Sequence, residues 1–159
     1  MFDKYSERAR MVVFVARLVA GKNGSPNIDV EHVVEGLVRE DQGELASLLG
    51  VPPEQLMVPA AHGFHRHFFA SETASKILLK LEKQTTGEAI PSSAGIPISL
   101  QVGEVFREAK ELCVELHQLT VEPLHLLAAV LSDNSSDVSV TLQDSGVTRE
   151  KVIAAIQNG

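Results

Sequence analysis

Tryptophan is absent from this chain of 159 residues, tyrosine occurs once, and aromatic residues make up only 4% of it. Hydrophobic residues nevertheless reach 44%, so the interior has to be aliphatic, the composition of packed helices. A single cysteine, Cys113, rules out an intrachain disulfide and points to a reducing compartment. The longest unbroken apolar run, Met11 to Ala16, is far too short to span a bilayer. The mixed-charge start Met1–Arg10 lacks the cationic and then apolar pattern of a secretory leader. Cationic residues are also scarce: 14 Lys and Arg face 21 Asp and Glu, a net charge of −7. Phosphate binding needs the opposite excess, which argues against nucleic acid as a partner and against a helix-turn-helix regulator. The expectation is a soluble cytoplasmic protein with no membrane contact.

What the chain does have is a repeat. Ser6, Val12, Ala16 and His32 reappear as Ser99, Val105, Ala109 and His125, at a fixed offset of 93 residues. After a slip of three, Gly50-Val51 and Glu54 return as Gly146-Val147 and Glu150. Between the identities apolar character is kept: Val13 with Phe106, Ile28 with Val121, Val34 with Leu127, Val38 with Leu131. One structural unit used twice is the simplest explanation. The reading divides the chain into repeat 1 (1–58), an unpaired segment (59–95) and repeat 2 (96–159), with both repeats in one compact domain.

Each repeat reads as about four helices. In repeat 2, Ile98, Val102, Val105, Phe106, Ala109, Leu112, Cys113 and Leu116 follow helical spacing, with Ser99 as N-cap. Repeat 1 has Ser6 as cap and then Ala9, Val12, Val13, Ala16, Val19 and Ala20, ended by the glycines and proline of 21–27. Asp29 caps a second helix, and Pro123 suits the first turn of its counterpart. Short third helices are expected around Leu45–Leu49 and Val138–Leu142, and fourth ones after Pro53-Glu54 and Thr148. The unpaired segment reads as an amphipathic helix over 71–84, with Ala74, Ile77, Leu78 and Leu81 on one face and Lys76, Lys80 and Lys83 on the other, followed by a flexible linker over 85–95. The fold expected is all-α: a duplicated four-helix unit forming a pseudo-twofold bundle, with an extra helix inserted between the copies.

The opening Met-Phe-Asp-Lys-Tyr-Ser-Glu-Arg-Ala (1–9), the run Ile28-Asp-Val-Glu-His-Val-Val-Glu-Gly-Leu-Val38 and Leu49-Gly-Val51 resemble the Clp repeat. That repeat is the duplicated four-helix unit at the N-terminus of Clp-family protein unfoldases. Ile96-Pro-Ile-Ser99 and Val121-Glu-Pro-Leu-His-Leu-Leu-Ala-Ala-Val-Leu131 look like the second copy of the same signals. The resemblance covers nearly all of the chain outside about 58–90. It implies a non-enzymatic module without cofactor that docks protein substrates and adaptors in protein quality control, while ATP hydrolysis belongs to separate AAA+ modules. No G-x-x-x-x-G-K-[ST] occurs here, so a Clp-type ATPase would act in trans or in a longer protein from which the chain was cut.

In some members of that family each repeat is implied to form a pocket for phosphorylated arginine, using the hydroxyl that starts helix 1 and the Glu of a Glu-His pair. Ser6 and Glu31 stand at those positions in repeat 1, whereas repeat 2 keeps Ser99 but carries Leu124. An isobutyl group cannot pair with guanidinium, so the second pocket is expected to be dead. The plainer alternative is that Ser6 caps a helix and Glu31 suits its dipole.

Three further features carry a functional question. Met11, Phe14, Val15 and Leu18 form a second apolar stripe on helix 1, where repeat 2 has Glu104, Arg107, Glu108 and Glu111. Leaving each in water forgoes on the order of 1.5–3 kcal/mol. The expected cover is the insertion, with its Phe64, Phe68, Phe69, Ile77, Leu78 and Leu81; a second copy of the chain, as a homodimer, or a docked partner is the alternative. His62, His65 and His67 raise a rival reading, a small metal-dependent enzyme, but without an HExxH pattern or a converging carboxylate no metal site is assigned. His32 and His125, at matching positions, are expected to hydrogen-bond structurally, since no nucleophile partner stands out.

Overall fold

The computed structural model describes residues 2–44, 67–82, 89, 95–133 and 136–158. Among these lie seven helices: α1 (Glu7–Lys22), α2 (Val30–Asp41), α3 (Ser71–Glu82), α4 (Leu100–Glu115), α5 (Pro123–Val130), α6 (Asp137–Asp144) and α7 (Arg149–Asn158). The expected third and fourth helices of repeat 1, Phe64, His62, His65, Lys83 and most of the linker fall outside the described residues.

Both copies begin with the same local chemistry. Ser6 and Ser99 are extended, and each side-chain oxygen accepts the N–H of the third residue on, Ala9 at 3.1 Å and Val102 at 3.2 Å. This satisfies one of the amide groups that a helix start leaves unpaired. The helices that follow, α1 and α4, are each 16 residues long. They also end alike: Ser25 N–H donates to the Ala20 carbonyl and Gln118 N–H to the Cys113 carbonyl. The left-handed residue needed before that bond is Gly24 (φ 68°) in one copy and His117 (φ 56°) in the other.

At the second helix starts, the equivalent histidines do the capping. His32 Nδ1 accepts the Asp29 N–H at 2.9 Å, and His125 Nδ1 accepts the Glu122 N–H at 2.8 Å. Both imidazoles are buried, so the structural role expected of them holds. α1 then packs on α2 and α4 on α5. Gly36 permits the first of these crossings: a Cβ there would lie 2.6 Å from the Val12 carbonyl oxygen.

The two copies meet by exchanging short stretches of extended backbone. Ser6 N–H donates to the Val121 carbonyl and Val121 N–H to that of Lys4; Ser99 N–H donates to Ile28 and Ile28 N–H to Pro97. The parallel bridges are Tyr5 with Val121 and Ile28 with Ile98. Each contact maps onto the other at the offset of 93, so residue i of one copy meets residue j of the other and the reverse. This reciprocity is the mark of a twofold arrangement. Around it runs one contiguous core containing Val12, Ala16, Val33, Val34 and Leu37 from the first copy and Val102, Phe106, Leu126, Leu127 and Leu142 from the second. Phe2 and Tyr5 close one end against Phe106, with ring centroids 5.5 and 6.2 Å away.

The inserted helix α3 buries Ala74, Ile77 and Leu81 and exposes Lys76 and Lys80, as its pattern demands. It lies against α2 and α6, joining the core of both copies. The described part of the insertion is therefore spent on that face.

Candidate functional site

The hydroxyl and carboxylate expected to share a pocket in repeat 1 are separated by the fold. α1 and α2 run antiparallel: Arg8 pairs with Glu40, and Gly36 lies under Val12. Ser6 is six residues before Val12 and Glu31 five before Gly36, so the two sit at opposite ends of the helix pair. At about 1.5 Å per residue the offset is on the order of 15 Å. The backbone exchange instead brings Ser99 beside the turn that leads to Glu31, and Ser6 beside the turn that leads to Leu124. Each serine thus lies beside the turn of the other copy. One retains a carboxylate, Glu31 with Ser99; the other, Ser6 with Leu124, has none. Both serine hydroxyls already accept a helix amide and keep a second lone pair.

The α1 stripe is not a single surface. Val15 is fully buried, so it offers nothing to a partner, and Met11 and Leu18 are half-buried. Phe14 alone is open, at 43% exposure. On the equivalent face of α4, Arg107 bridges Glu104 and Glu111, each at 2.7 Å, and these carboxylates raise its pKa further. One copy solvates this face with an ion-pair ladder and the other covers most of it.

The C-terminal end of α2 holds two acids that sequence reasoning missed. A helix C-terminus disfavours anions, yet Glu40 and Asp41 are both buried there. Arg8 meets Glu40 through two nitrogens, each at 2.9 Å. The Asp41 carboxylate accepts the backbone N–H groups of Phe68 (2.7 Å) and Phe69 (3.0 Å), and the His67 ring bonds the Asp41 carbonyl. Asp41 thus fastens the Phe-Phe step of the insertion to the bundle. The signal in the sequence was a pair of acids closing an apolar helix, beside an apolar face with no other use for charge.

Of the histidines proposed for a metal, only His67 is described, and its Nδ1 is engaged by that carbonyl. Ligand atoms of Asp29, Glu31 and His32 lie within 4.8 Å of one another, but His32 Nδ1 is taken by the Asp29 amide. The grouping follows from helix capping. Cys113 is buried, its thiol donates to the Gln118 carbonyl at 3.3 Å, and burial pushes its pKa up, away from thiolate chemistry. No helix of the described residues is long and apolar enough to cross a membrane.

No family model matches this sequence. Over 99% of its length the chain is 28% identical to the chaperone protein ClpB of Agrobacterium fabrum and 29% identical to that of Rhizobium meliloti. It spans only 16% and 17% of those proteins. In fold it resembles the N-terminal domain of the chaperone ClpD from Arabidopsis thaliana, with a TM-score of 0.61 and 16% identity over 98% of this chain and 96% of that one. The Hsp104 N-terminal domain of Candida albicans matches with a TM-score of 0.59 and 14% identity over 96% of this chain and 88% of the other. A structure from a malarial protein secretion system matches at 0.70 with 19% identity, over 98% and 93%.

Proposed function

We propose, from a chain that carries the Clp N-terminal fold, a non-enzymatic module that binds polypeptides in protein quality control. The observation that supports it most is the joint likeness: ClpB sequence similarity over 99% of the chain and the same all-helical double unit. Its clients are unfolded segments or adaptor proteins. The ATPase that would act on them is either in trans or in the rest of a longer protein.

Two surfaces are candidates for that contact, both centred on repeat 1. One is Phe14 with the half-buried Met11 and Leu18 around it. The other is Glu31 beside the Ser99 helix start, where a carboxylate can pair with guanidinium while helix-start amides hold a phosphate. A phosphorylated arginine fits that combination. Ser6, facing Leu124, serves as a helix cap.

The test is binding of a permanently unfolded polypeptide, reduced and carboxymethylated α-lactalbumin, followed by fluorescence anisotropy. Phe14→Glu and Glu31→Lys alter the two surfaces at positions that are not fully buried; Val15→Glu would unfold the helix face and report nothing. Weakened capture by either variant supports the proposal. Absence of any capture by the wild-type chain removes it.

A further inference from the structure

The twofold relation gives the molecule two clefts that share three lining positions, and among the described residues the insertion enters only one of them. The first is lined by Arg8, Leu37 and Pro123 together with Phe68 and Phe69, and retains about 50 Å³. At the offset of 93, Arg8, Leu37 and Pro123 become Gln101, Val130 and Val30, which line the second cleft, whereas Leu124 and Leu127, which with Asp41 also line the first, become Glu31 and Val34, which do not. The second cleft measures about 270 Å³. The difference in content is the Phe-Phe step, which Asp41 fastens by its two amides into the first cleft. Nothing among the described residues of repeat 2 plays that part.

The open cleft has a floor of Val105, Ala129 and Val130, all more than nine-tenths buried. Its rim carries Glu104, Glu108 and Asp133, and no Lys or Arg lines it. Arg107 on α4 pairs with the rim acid Glu104 and with Glu111 at 2.7 Å each and lies 3.9 Å from Glu108, so three carboxylates face one shared cation and the rim stays net negative. An apolar floor within an acidic rim selects an apolar side chain next to a positive charge. The insertion whose Phe68 and Phe69 line the twin cleft has that chemistry in its sequence, His-Arg-His-Phe-Phe over 65–69. A volume of roughly 150 Å³ suffices to hold a benzene ring in a protein interior, so one phenylalanine fits with room for its backbone.

We propose that the cleft between α4, α5 and the start of α2 binds an extended peptide segment that presents a phenylalanine close in sequence to an arginine or lysine. This rests on the polypeptide-binding reading above and names the class of segment taken. The contact is partly electrostatic and weakens with salt, because the rim is exposed.

The probe is a labelled peptide of residues 63–70, Gly-Phe-His-Arg-His-Phe-Phe-Ala, added to the whole chain, with anisotropy for affinity and amide chemical shifts for location. Binding is expected to move the resonances of Gln101, Val105 and Ala129–Ser132. It should weaken at least tenfold when the final two phenylalanines of the peptide are replaced by alanine. A similar loss is expected for Glu104→Lys, a rim change that leaves the buried floor intact, and for Glu104→Lys with Glu108→Lys. Equal affinity for the alanine peptide would reduce the contact to charge alone and overturn the proposal, as would shifts confined to the Phe14 face or no response to Glu104→Lys. Capture of unfolded α-lactalbumin without any binding of the peptide would sink this cleft and leave the broader function standing. Failure of both would sink the two together.

Discussion

His125 sits with its Nδ1 accepting the Glu122 amide, so the proton of the neutral ring is on Nε2, which is buried without a partner among the described residues. Burial lowers its pKa from the ordinary histidine value, although Glu122 pulls the other way. Protonation would put a second donor against the Glu122 N–H and break the cap. Since the folded pKa lies below the unfolded one, the unfolded chain binds the proton first. Stability is therefore full above about pH 6.5 and falls as the pH drops below it, by up to about 1.4 kcal/mol per pH unit for this one group. Glutamine accepts the same amide in an ordinary capping box, so His125→Gln should give a shallower decline between pH 7 and 5 in denaturant titrations; an unchanged slope would contradict this account. Gly36 makes a second test at this scale. Alanine in a helix is favoured by up to about 1 kcal/mol over glycine, but here its Cβ would meet the backbone oxygen of Val12 at 2.6 Å. Gly36→Ala is expected to destabilise by about 1–3 kcal/mol, as overpacking does, and a stabilised variant would show that α1 and α2 move apart freely.

The helix faces are where sequence reading and structure agree best, because burial on one side repeats every three or four residues and leaves a pattern. In α4 the assigned inner residues Val102, Val105, Phe106, Ala109, Leu112 and Cys113 are all buried, while Glu104, Arg107 and Glu111 form the outer ladder. Phe106→Ala should lose about 3–5 kcal/mol, since its ring packs against Phe2 and Tyr5 as well as the core. Glu111→Ala should stay within about 0.5 kcal/mol, an exposed pair contributing little. Equal midpoints in urea would mean that the face is misassigned. In α1 the periodicity alone misleads in one respect. Val15 reads as part of an outer stripe, yet it is fully buried. A helix whose apolar residues wrap more than half its circumference does not say which of them stays open, and the answer there is Phe14.

For the molecule as a whole, the decisive matter is how much apolar surface remains to be covered. Phe14 is the open member of the α1 stripe at 43%, and a stable dimer interface buries on the order of 1,000 Å² or more. Light scattering on the purified chain is accordingly expected to return the mass of one copy, and a dimer dissolved by Phe14→Glu would refute that. The described part of the insertion, expected to lie over the stripe, lies over α2 and α6, with Asp41 holding its Phe-Phe step and α3 bridging both copies. Phe68 and Phe69 line a cleft beside Arg8, Leu37 and Pro123, so the surroundings of the two copies differ although their caps and first helices match.

The amino-acid order on its own determined the repeated spacing, the described helices, the Ser6 and Ser99 caps, the matching histidines and most of the inner faces, Val15 excepted, because each is a local or periodic property written in neighbouring residues. Tertiary structure alone decided which copy's turn each serine meets, since hydrogen bonds between residues 6 and 121 or 28 and 99 connect segments that share no local signal. The antiparallel packing of α1 on α2 separated Ser6 from Glu31, and the exchange set the turn that leads to Glu31 beside Ser99. The exchange also built two clefts that share three lining positions, of which only the first is lined by Phe68 and Phe69 among the described residues.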